Sequence, residues 1–349
     1  MPGQRTLHDV LTSTDCKWQA EVASTIEALA GVAVSLARLI ADGPLVGELG
    51  AVVGESSHGD VQQALDRHAH EMFKEALAEC PVAVLGSEES DHPIVLNQSA
   101  PLAVALDPLD GSSNIDTNVS IGTIFSIRPM AGAGNGSPAA ALLQPGSRQL
   151  AAGFVVYGPQ TCLVLTLGRG THIFTLDRRA RRFVLTHPEV RVPAGAREYA
   201  INASNYRHWD EAIRLYVDDL VAGVDGPRGK DFNMRWIASL VAEAFRILER
   251  GGVFLYPADR RPGYGQGRLR LVYEAHPLAL VMEQAGGAAS DGFSRILDLV
   301  PHDLHQRTPL IFGSADKVER VRRYHQGPPS TSERSPLFGQ RGLFHHPHR

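Results

Sequence analysis

Residues 102–114, with the sequence LAVALDPLDGSSN, join a short apolar run to an acidic turn. The run at 102–106 has the length and aliphatic content of a buried strand, which predicts that the turn is mounted on a sheet. Asp107 and Asp110 flank a turn that Pro108 fixes, so both carboxylates can point at one place. Hard divalent cations such as Mg²⁺ bind carboxylate oxygens, and a strand end holds such ligands rigidly. The sequence therefore predicts a metal site here.

The second half of the same stretch has the composition of a phosphate-binding turn. Gly111 lets the backbone approach a ligand closely, and its N–H group and those of Ser112 and Ser113 can donate to phosphate oxygens. The carbonyl of Leu109 would be exposed in the same turn. Carboxylates beside a phosphate would repel it unless cations lie between them, so the combination implies bound metal. The alternative is a plain Asp-Pro turn followed by a helix cap; the whole stretch, directly after a strand, favours the site.

Four further carboxylates lie near the ends of other predicted elements. Glu88 and Glu89 follow an apolar run at 82–85 that predicts a second buried strand. If that strand lies beside the first one, Glu88 reaches the same metals; the alternative is a solvated acidic loop. Asp60 and Asp66 flank the predicted start of a helix, where Asp60 taken alone is best explained as its N-cap.

A segment of alternating character, RLRLVYE at residues 268–274, follows much later in the chain. The alternation predicts a strand whose one face would carry Arg268, Arg270, Val272 and Glu274. Two arginines and a carboxylate on one face suit a phosphate and a metal. A half-exposed, ion-paired strand explains the segment equally well when it is considered alone.

Helix-like and strand-like stretches alternate along the rest of the chain. Apolar residues spaced by three and four predict a helix over residues 22–40. The same reasoning predicts helices over 209–221, 235–250 and 315–324. Residues 129–147 are rich in Gly, Ala, Pro and Ser and predict a surface loop. Alternation without a strict βαβ repeat predicts an α/β fold with layered sheets.

The domain organisation follows from polar and proline-rich segments. Such a segment near 187–197 predicts a junction between two domains. We therefore expect an N-terminal α/β domain with the metal site over residues 1–190. A C-terminal α/β domain over 191–325 would complete the substrate site. The tail, residues 326–349, is rich in Pro, Ser, Arg and His and is predicted to be disordered.

Composition argues against several classes of protein. The 349 residues are 43% hydrophobic and 21% charged, an ordinary globular balance, and the net charge is −4. Nucleic-acid-binding and membrane-surface proteins usually carry a basic excess, so we expect neither kind of partner. Because no apolar stretch reaches about 18 residues, no transmembrane helix is expected. Three widely spaced cysteines predict reduced thiols and a cytoplasmic protein.

The chain resembles the class I fructose-1,6-bisphosphatase family over roughly residues 55–325. The motif at 107–114 is shared in looser form with the wider lithium-sensitive phosphatases, including inositol monophosphatases. Segments similar to class I enzymes in particular are 115–116, 120–125, 151–153, 157–158, 256–258, 269–274 and 300–307. The resemblance implies the layered α-β-α-β-α sugar-phosphatase fold of these families.

The resemblance also implies a role for each candidate residue at the reacting phosphate. The ligands of two or more Mg²⁺ ions per subunit would be Glu88, Asp107, the carbonyl of Leu109, Asp110 and Glu274. The groups that bind the phosphate would be Asp110, Gly111, Ser112 and Ser113. The catalytic side chains would be Asp60 and Arg270 beside that phosphate, and Asp66 and Glu89, which would help to activate the attacking water.

At the other end of the substrate, the resemblance implies that Asn202, Tyr256 and Arg268 hold the sugar and its 6-phosphate. Arg235 would reach that phosphate from a neighbouring subunit, which implies a homodimer or homotetramer. The sequence departs from the family pattern here, with arginine in place of lysine at 268 and Trp236 in place of a tyrosine. A further tyrosine of the family is replaced by Asn205. These changes leave the preference between fructose and sedoheptulose bisphosphates open.

The predicted function is Mg²⁺-dependent hydrolysis of fructose 1,6-bisphosphate to fructose 6-phosphate and phosphate, in gluconeogenesis or carbon fixation. The first alternative is a dual fructose-1,6-/sedoheptulose-1,7-bisphosphatase. The second is a catalytically inactive sugar-phosphate sensor, which the full set of metal-ligand carboxylates argues against. Pro101-Leu102 stand where AMP-regulated members have a Lys-Tyr pair, and no cysteine pair suits thioredoxin. We therefore expect neither AMP inhibition nor thioredoxin control.

Overall fold

The computed structural model describes residues 5–13, 18–46, 51–55, 61–130 and 137–327. Its helices are α1 (Leu7–Ser13), α2 (Gln19–Asp42), α3 (Ala64–Ala78), α4 (Glu211–Val221), α5 (Leu240–Arg250), α6 (His276–Gln284) and α7 (Ala315–Gln326). Its strands are β1 (Val52–Glu55), β2 (Val61–Gln63), β3 (Val82–Ser87), β4 (Ile94–Val95), β5 (Leu102–Asp110), β6 (Ile121–Pro129), β7 (Ala151–Tyr157), β8 (Thr161–Thr166), β9 (His172–Asp177), β10 (Arg182–His187), β11 (Glu198–Ala200), β12 (Asn233–Met234), β13 (Val253–Tyr256), β14 (Leu269–Arg270), β15 (Ala288–Ser290), β16 (Arg307–Thr308) and β17 (Leu310–Gly313).

Two large sheets form the framework. The first has eight strands in the order β10-β9-β8-β7-β6-β5-β3-β4, and only β3 and β5 are parallel neighbours within it. The second has five strands in the order β12-β11-β13-β17-β15, with β11 parallel to both of its neighbours. Every position of β5 is buried, which fits a central strand covered on both faces.

The helices separate into three layers around these sheets. α1, α2 and α3 cover one face of the eight-stranded sheet, where Ile26 and Phe73 join its apolar side chains in one cluster. α5 and α6 lie between the two sheets, and Leu248 and Met282 belong to the cluster that fills this layer. α4 and α7 cover the outer face of the five-stranded sheet, with Tyr216 fully buried there. The predicted α-β-α-β-α order of a layered α/β fold is confirmed.

Two predicted elements are wrong in ways that matter for the site. The helix predicted over 235–250 begins only at Leu240, because the side chain of Ser239 caps it by accepting a hydrogen bond from the Ala242 N–H group. The surface loop predicted over 129–147 is partly interior in the residues that the structure describes. Leu142 and Gln144 are buried there, and the guanidinium of Arg128 donates to the carbonyls of both. Composition alone could not show that a buried cation would bind this backbone.

The segment Gln19–Leu45, which contains α2, is long and apolar enough to cross a membrane by length and composition alone. Its buried residues include Val22, Leu29 and Leu36, which pack in the cluster between the outer helices and the eight-stranded sheet. Helices of globular proteins that cover a sheet with one apolar face can meet the same criterion, and we interpret α2 as one of them. The expectation that the chain has no transmembrane helix stays a prediction.

Gly122 on β6 is required by close packing between the sheet and α5. A Cβ atom at this position would lie 2.3 Å from the Val155 carbonyl oxygen and 2.5 Å from a methyl of Val241. Gly122→Ala is therefore expected to lower the free energy of unfolding by about 1–3 kcal/mol, measured by urea denaturation. The matched control is Gly31→Ala on α2, where a Cβ would meet nothing within 4 Å. The control should be neutral or stabilising, and equal losses from the two changes would contradict this account.

Candidate active site

A bulge in β5 turns the two aspartates of the acidic turn to the same side. Opposite β6, Asp107 pairs with Ile124 and Asp110 pairs with Gly122, so three steps along β5 match two along β6. In a regular strand, side chains three residues apart point to opposite faces. The extra residue reverses that alternation, and the carboxylates of Asp107 and Asp110 come together. Sequence spacing suggested this convergence, and the bulge is the mechanism that produces it.

The bulge is held by Pro108 and by hydrogen bonds around it. Proline has no N–H to contribute to a strand ladder, so it is tolerated at a bulge. The Pro108 carbonyl accepts a hydrogen bond from the Thr123 hydroxyl at 2.9 Å. The Leu109 N–H group donates to Asp107 Oδ1 at 3.0 Å. The aspartate at the start of the bulge is thereby fixed before any ligand binds.

Three carboxylates meet at this point. Asp107, Asp110 and Glu274 are all buried, and one oxygen from each lies within 4.8 Å of the others. Glu88 lies close enough that its charge raises the pKa of all three. Burying several like charges together is costly unless a cation lies between them. The donor set is all oxygen, which suits Mg²⁺, so these residues fit the metal that the sequence predicts.

The raised pKa values of the three acids reflect the same cost of burying like charges together. Burial, followed by the charges of Glu88 and Asp110, raises the pKa of Asp107 well above its ordinary range. Burial and then the charge of Glu88 do the same for Glu274. Burial raises the pKa of Asp110 to about 7, although hydrogen bonds from the Val241 and Leu240 N–H groups at the start of α5 oppose the shift. Without a cation, the cluster therefore retains protons near neutral pH.

Glu274 reaches the cluster by a route that differs from the predicted strand. Only Leu269–Arg270 is a strand, and Leu271–Ala275 forms a π-helical turn that leads into α6. The predicted single face of Arg268, Arg270, Val272 and Glu274 is therefore wrong. The π-turn folds Glu274 back so that its Oε2 accepts from the Arg270 N–H group, whereas residues four apart in a strand lie about 13 Å apart. Val272 instead packs in a separate apolar cluster.

Arg270 places a buried positive charge beside the acids. Its side chain is 4% exposed, and its Nε donates to Glu88 Oε1 at 3.2 Å. Its Nη1 donates to the His305 carbonyl at 3.2 Å. Because guanidinium stays protonated and presents several donors, Arg270 can bind a phosphate oxygen without losing the contact to His305. The arrangement combines a metal-type acidic cluster with an anion-binding cation.

The turn after Asp110 has the conformation expected of a phosphate-binding loop. Gly111 adopts φ 78°, in the left-handed region that favours glycine, and Ser112–Asn114 forms one 3-10 turn. Ser112 is half-buried and Ser113 is exposed. The Asn114 side chain donates to the Ala238 carbonyl at 2.8 Å, which ties the turn to the segment before α5.

Of the predicted catalytic acids, Asp66 and Glu89 lie in the part of the chain that the structure describes, and Glu89 is a neighbour of the acidic cluster. Asp66 is buried in the first turn of α3, a helix that packs on β3 and β5. Glu89 follows β3 directly, and its charge raises the pKa of Asp107, so the two residues are neighbours. The Glu89 N–H group donates weakly to the Ser87 hydroxyl, which also bonds His70 at 2.8 Å. The prediction for Asp60 concerns a residue outside the part of the chain that the structure describes.

The predicted sugar-binding residues lie on the C-terminal part of the chain. Asn202 caps a 3-10 helix by accepting from the Ser204 N–H group at 3.2 Å. Tyr256 ends β13 and is half-buried, and its pKa is raised chiefly by burial, with Glu274 contributing and Arg268 opposing. Tyr256 therefore lies near both Arg268 and Glu274 of the acidic cluster.

Two cations share one aromatic ring at this end. The guanidiniums of Arg268 and Arg261 lie 4.7 and 4.4 Å from the centre of the Tyr264 ring. Arg261 is held in turn by Asp259, which accepts from its Nε at 3.0 Å. Sequence reasoning missed Arg261 and Tyr264, although an arginine and a tyrosine in the loop before Arg268 were visible signals.

Arg235 directly follows β12 at an exposed position. Its side chain is 52% exposed, and its Nε is 3.6 Å from Glu198 Oε1. An exposed arginine is what a contribution to a neighbouring subunit would need. Sequence reasoning named Trp236 only as a departure from the family pattern, and it missed Ala238 and Val241. The structure places all three against site residues. The Ser239 cap was the available signal that the segment before it is not helical.

Comparisons with known proteins agree with this geometry. The family model described as "Fructose-1-6-bisphosphatase, N-terminal domain" matches residues 12–188, and the one described as "Fructose-1-6-bisphosphatase, C-terminal domain" matches residues 192–326. A "Fructose-1,6-bisphosphatase class 1" of Sinorhizobium medicae is 57% identical over 325 residues, covering 93% of each chain. A class 1 relative from Rhodopseudomonas palustris is 56% identical over 343 residues, covering 97% of this chain and 98% of the relative.

Solved structures show the same relationship. The chain is similar to the holo form of Leishmania major fructose-1,6-bisphosphatase, with a TM-score of 0.87 and 34% identity over 93% of this chain and 100% of that one. It is also similar to the T-state of that protein, with a TM-score of 0.81 and 32% identity at the same coverage. The resemblance inferred from the motifs is thus confirmed, and the chain belongs to the class 1 fructose-1,6-bisphosphatase family.

Proposed function

We propose that this protein hydrolyses fructose 1,6-bisphosphate to fructose 6-phosphate and phosphate with the help of Mg²⁺. The observation that carries the proposal is the buried cluster of Asp107, Asp110 and Glu274, which lies beside the buried cation Arg270. An acidic cluster alone would repel a phosphate, and a single buried guanidinium would not need three carboxylates to neutralise its charge. Together they suit a phosphoryl group bound through divalent metal.

Each residue has a proposed part in the reaction. The Mg²⁺ ligands would be Glu88, Asp107, the Leu109 carbonyl, Asp110 and Glu274, for two or more ions per subunit. When bound, Mg²⁺ supplies charge neutralisation and lowers the pKa of a bound water. The residues that hold the phosphate by backbone N–H groups would be Gly111, Ser112 and Ser113. Arg270 would stabilise the charge on the transferring phosphoryl oxygens, and Glu89 and Asp66 would accept the proton of the attacking water.

The far end of the substrate would be held by Asn202, Tyr256 and Arg268. Arg235 would complete this end from the neighbouring subunit, so the working form would be a homodimer or homotetramer. The partner is a small sugar bisphosphate, with no nucleic acid or membrane. A cytoplasmic location is supported by the thiols of Cys80 and Cys162, both unpaired in the part of the chain that the structure describes. The proposed division at residue 190 is supported by the two family models, which meet there.

The test is phosphate release with three substrates in Mg²⁺: fructose 1,6-bisphosphate, sedoheptulose 1,7-bisphosphate and an inositol monophosphate. We expect the highest kcat/KM on fructose 1,6-bisphosphate and at least about 100-fold lower kcat/KM on the inositol phosphate, which has no second phosphate for Arg268. Comparable values on the two bisphosphates would support the dual enzyme instead. Binding without hydrolysis of either one would support the sensor and overturn the proposal.

A further inference from the structure

Residues 235–241, here called the strap, join β12 to the first turn of α5 and contact both ends of the site. At its start, the Arg235 N–H group donates to the Tyr199 carbonyl on β11 at 2.7 Å. At its end, the Val241 N–H group donates to Asp110 Oδ2 at 3.1 Å. One short segment therefore connects the five-stranded sheet to a carboxylate of the acidic cluster.

The strap also contacts the phosphate-binding turn and the sugar end. The Ala238 carbonyl accepts from the Asn114 side chain at 2.8 Å. The Trp236 ring stacks on Tyr256, with centroids 6.1 Å apart, and on Phe254, with centroids 5.9 Å apart. A shift of the strap would thus move protein groups that line both ends of the proposed substrate site.

The conformation of the strap has to be held by its surroundings. Ala238 has φ 60°, in the left-handed region that residues other than glycine, asparagine and aspartate rarely adopt. Such a residue persists only where neighbouring contacts fix it, and it is often found at functional sites. The relevant contacts come from α5.

Glu243 is the residue that fixes the middle of the strap. It is fully buried, and its Oε1 accepts from the Ile237 N–H group at 2.7 Å. Its Oε2 accepts from Arg246 Nε at 3.0 Å and Nη2 at 2.8 Å. Arg246 also donates to Glu198 at 2.5 Å, and Glu198 is the ion-pair partner of Arg235. The carboxylate therefore links the strap to a partly buried ionic network that extends to Arg235 at its start.

We propose that Glu243 is a positioning residue: by holding Ile237 and Arg246, it sets the strap so that Asp110 and Tyr256 keep the separation that a bisphosphate needs. The proposal rests on the proposed function for its substrate. It assigns no contact with the substrate to Glu243 itself.

The test compares Glu243→Gln with Glu249→Gln, the same change at an exposed position of the same helix. Glutamine keeps an acceptor for the Ile237 N–H group and removes the charge that binds Arg246. We expect Glu243→Gln to raise KM for fructose 1,6-bisphosphate about tenfold and to weaken half-saturation by Mg²⁺, while Glu249→Gln leaves both unchanged. Binding of fructose 6-phosphate, followed by tryptophan fluorescence, should weaken in parallel without turnover.

A second variant covers the case in which Glu243→Gln folds poorly. Ala238→Gly suits the left-handed backbone, so its Tm should equal or exceed that of the unaltered protein, while the looser strap raises KM severalfold. A stable Ala238→Gly or folded Glu243→Gln with unaltered KM and Mg²⁺ dependence would overturn the proposal. If the unaltered protein itself fails to hydrolyse the bisphosphate, the proposed function fails first and the inference with it.

Discussion

Replacing Asp110 with asparagine is expected to lower kcat for fructose 1,6-bisphosphate about a thousandfold, equivalent to ~4 kcal/mol of activation free energy. The amide matches the carboxylate in size, and its oxygen can still accept from the Val241 N–H group, so the start of α5 should survive. The lost group is one of the three acids that converge with Asp107 and Glu274. Steady-state phosphate release, with Mg²⁺ raised until activity no longer increases, measures the effect.

The control for this change is Asp116→Asn, an exposed aspartate shortly after the same turn. It removes the same charge from the same region and should leave kcat within about twofold of the unaltered protein, as surface changes usually do. Circular dichroism and Tm would show whether either variant unfolds. Near-normal turnover by a folded Asp110→Asn protein would remove the acidic turn from its assigned role.

Removing Mg²⁺ with a chelator is expected to abolish turnover, and adding it back should restore turnover and raise Tm more at pH 8 than at pH 6. The pKa of Asp110 is raised from its ordinary 3.8 to about 7 in the folded protein, and burial shifts the pKa of Asp107 and Glu274 in the same direction. An acid with a raised folded pKa binds more protons when folded, so its ionisation removes stability as pH rises from about 4 through 7. Mg²⁺ offsets this loss by binding the ionised acids, with which protons compete at low pH.

The measurement is thermal denaturation with Mg²⁺ and with chelator at both pH values, at equal ionic strength set with potassium chloride. The salt control matters because general screening would also relieve repulsion between the acids. A Tm rise that is larger at pH 6, or that potassium chloride reproduces in full, would contradict a specific metal site. Full activity in chelator would contradict the metal-dependent mechanism itself.

Sequence reasoning succeeded where local chemistry determines local structure. The buried strand before Asp107 and the turn at Gly111 follow from an apolar run, a proline and a glycine within one short stretch. The layered fold followed from alternating elements and from the resemblance, and it is confirmed. Motif spacing also suggested that Asp107 and Asp110 converge, which the structure shows.

Sequence reasoning failed where long-range packing overrides local pattern. Alternation at 268–274 indicates a strand, yet Glu274 lies on a π-turn because its carboxylate bonds the Arg270 N–H group and α6 begins at once. The residues at 235–239 have helix-compatible composition, but partners distant in sequence, Asn114 and Tyr256 among them, hold them out of the helix. Ser239 indicates where the helix begins, but no local signal specifies those partners, so only the folded chain reveals the contacts of the strap.

The position of the middle helical layer has a consequence for how the protein unfolds. Asp107 and Asp110 lie on the eight-stranded sheet, whereas Glu274 lies just before α6. Val241, which donates to Asp110, lies at the start of α5. The cluster is therefore complete only when the inter-sheet helices dock on the eight-stranded sheet. A cation bound there would link the sheet to the helical layer, so metal release and undocking of the helices should be one cooperative event. Loss of activity on heating would then occur when the helical layer separates from the eight-stranded sheet, before either sheet unfolds.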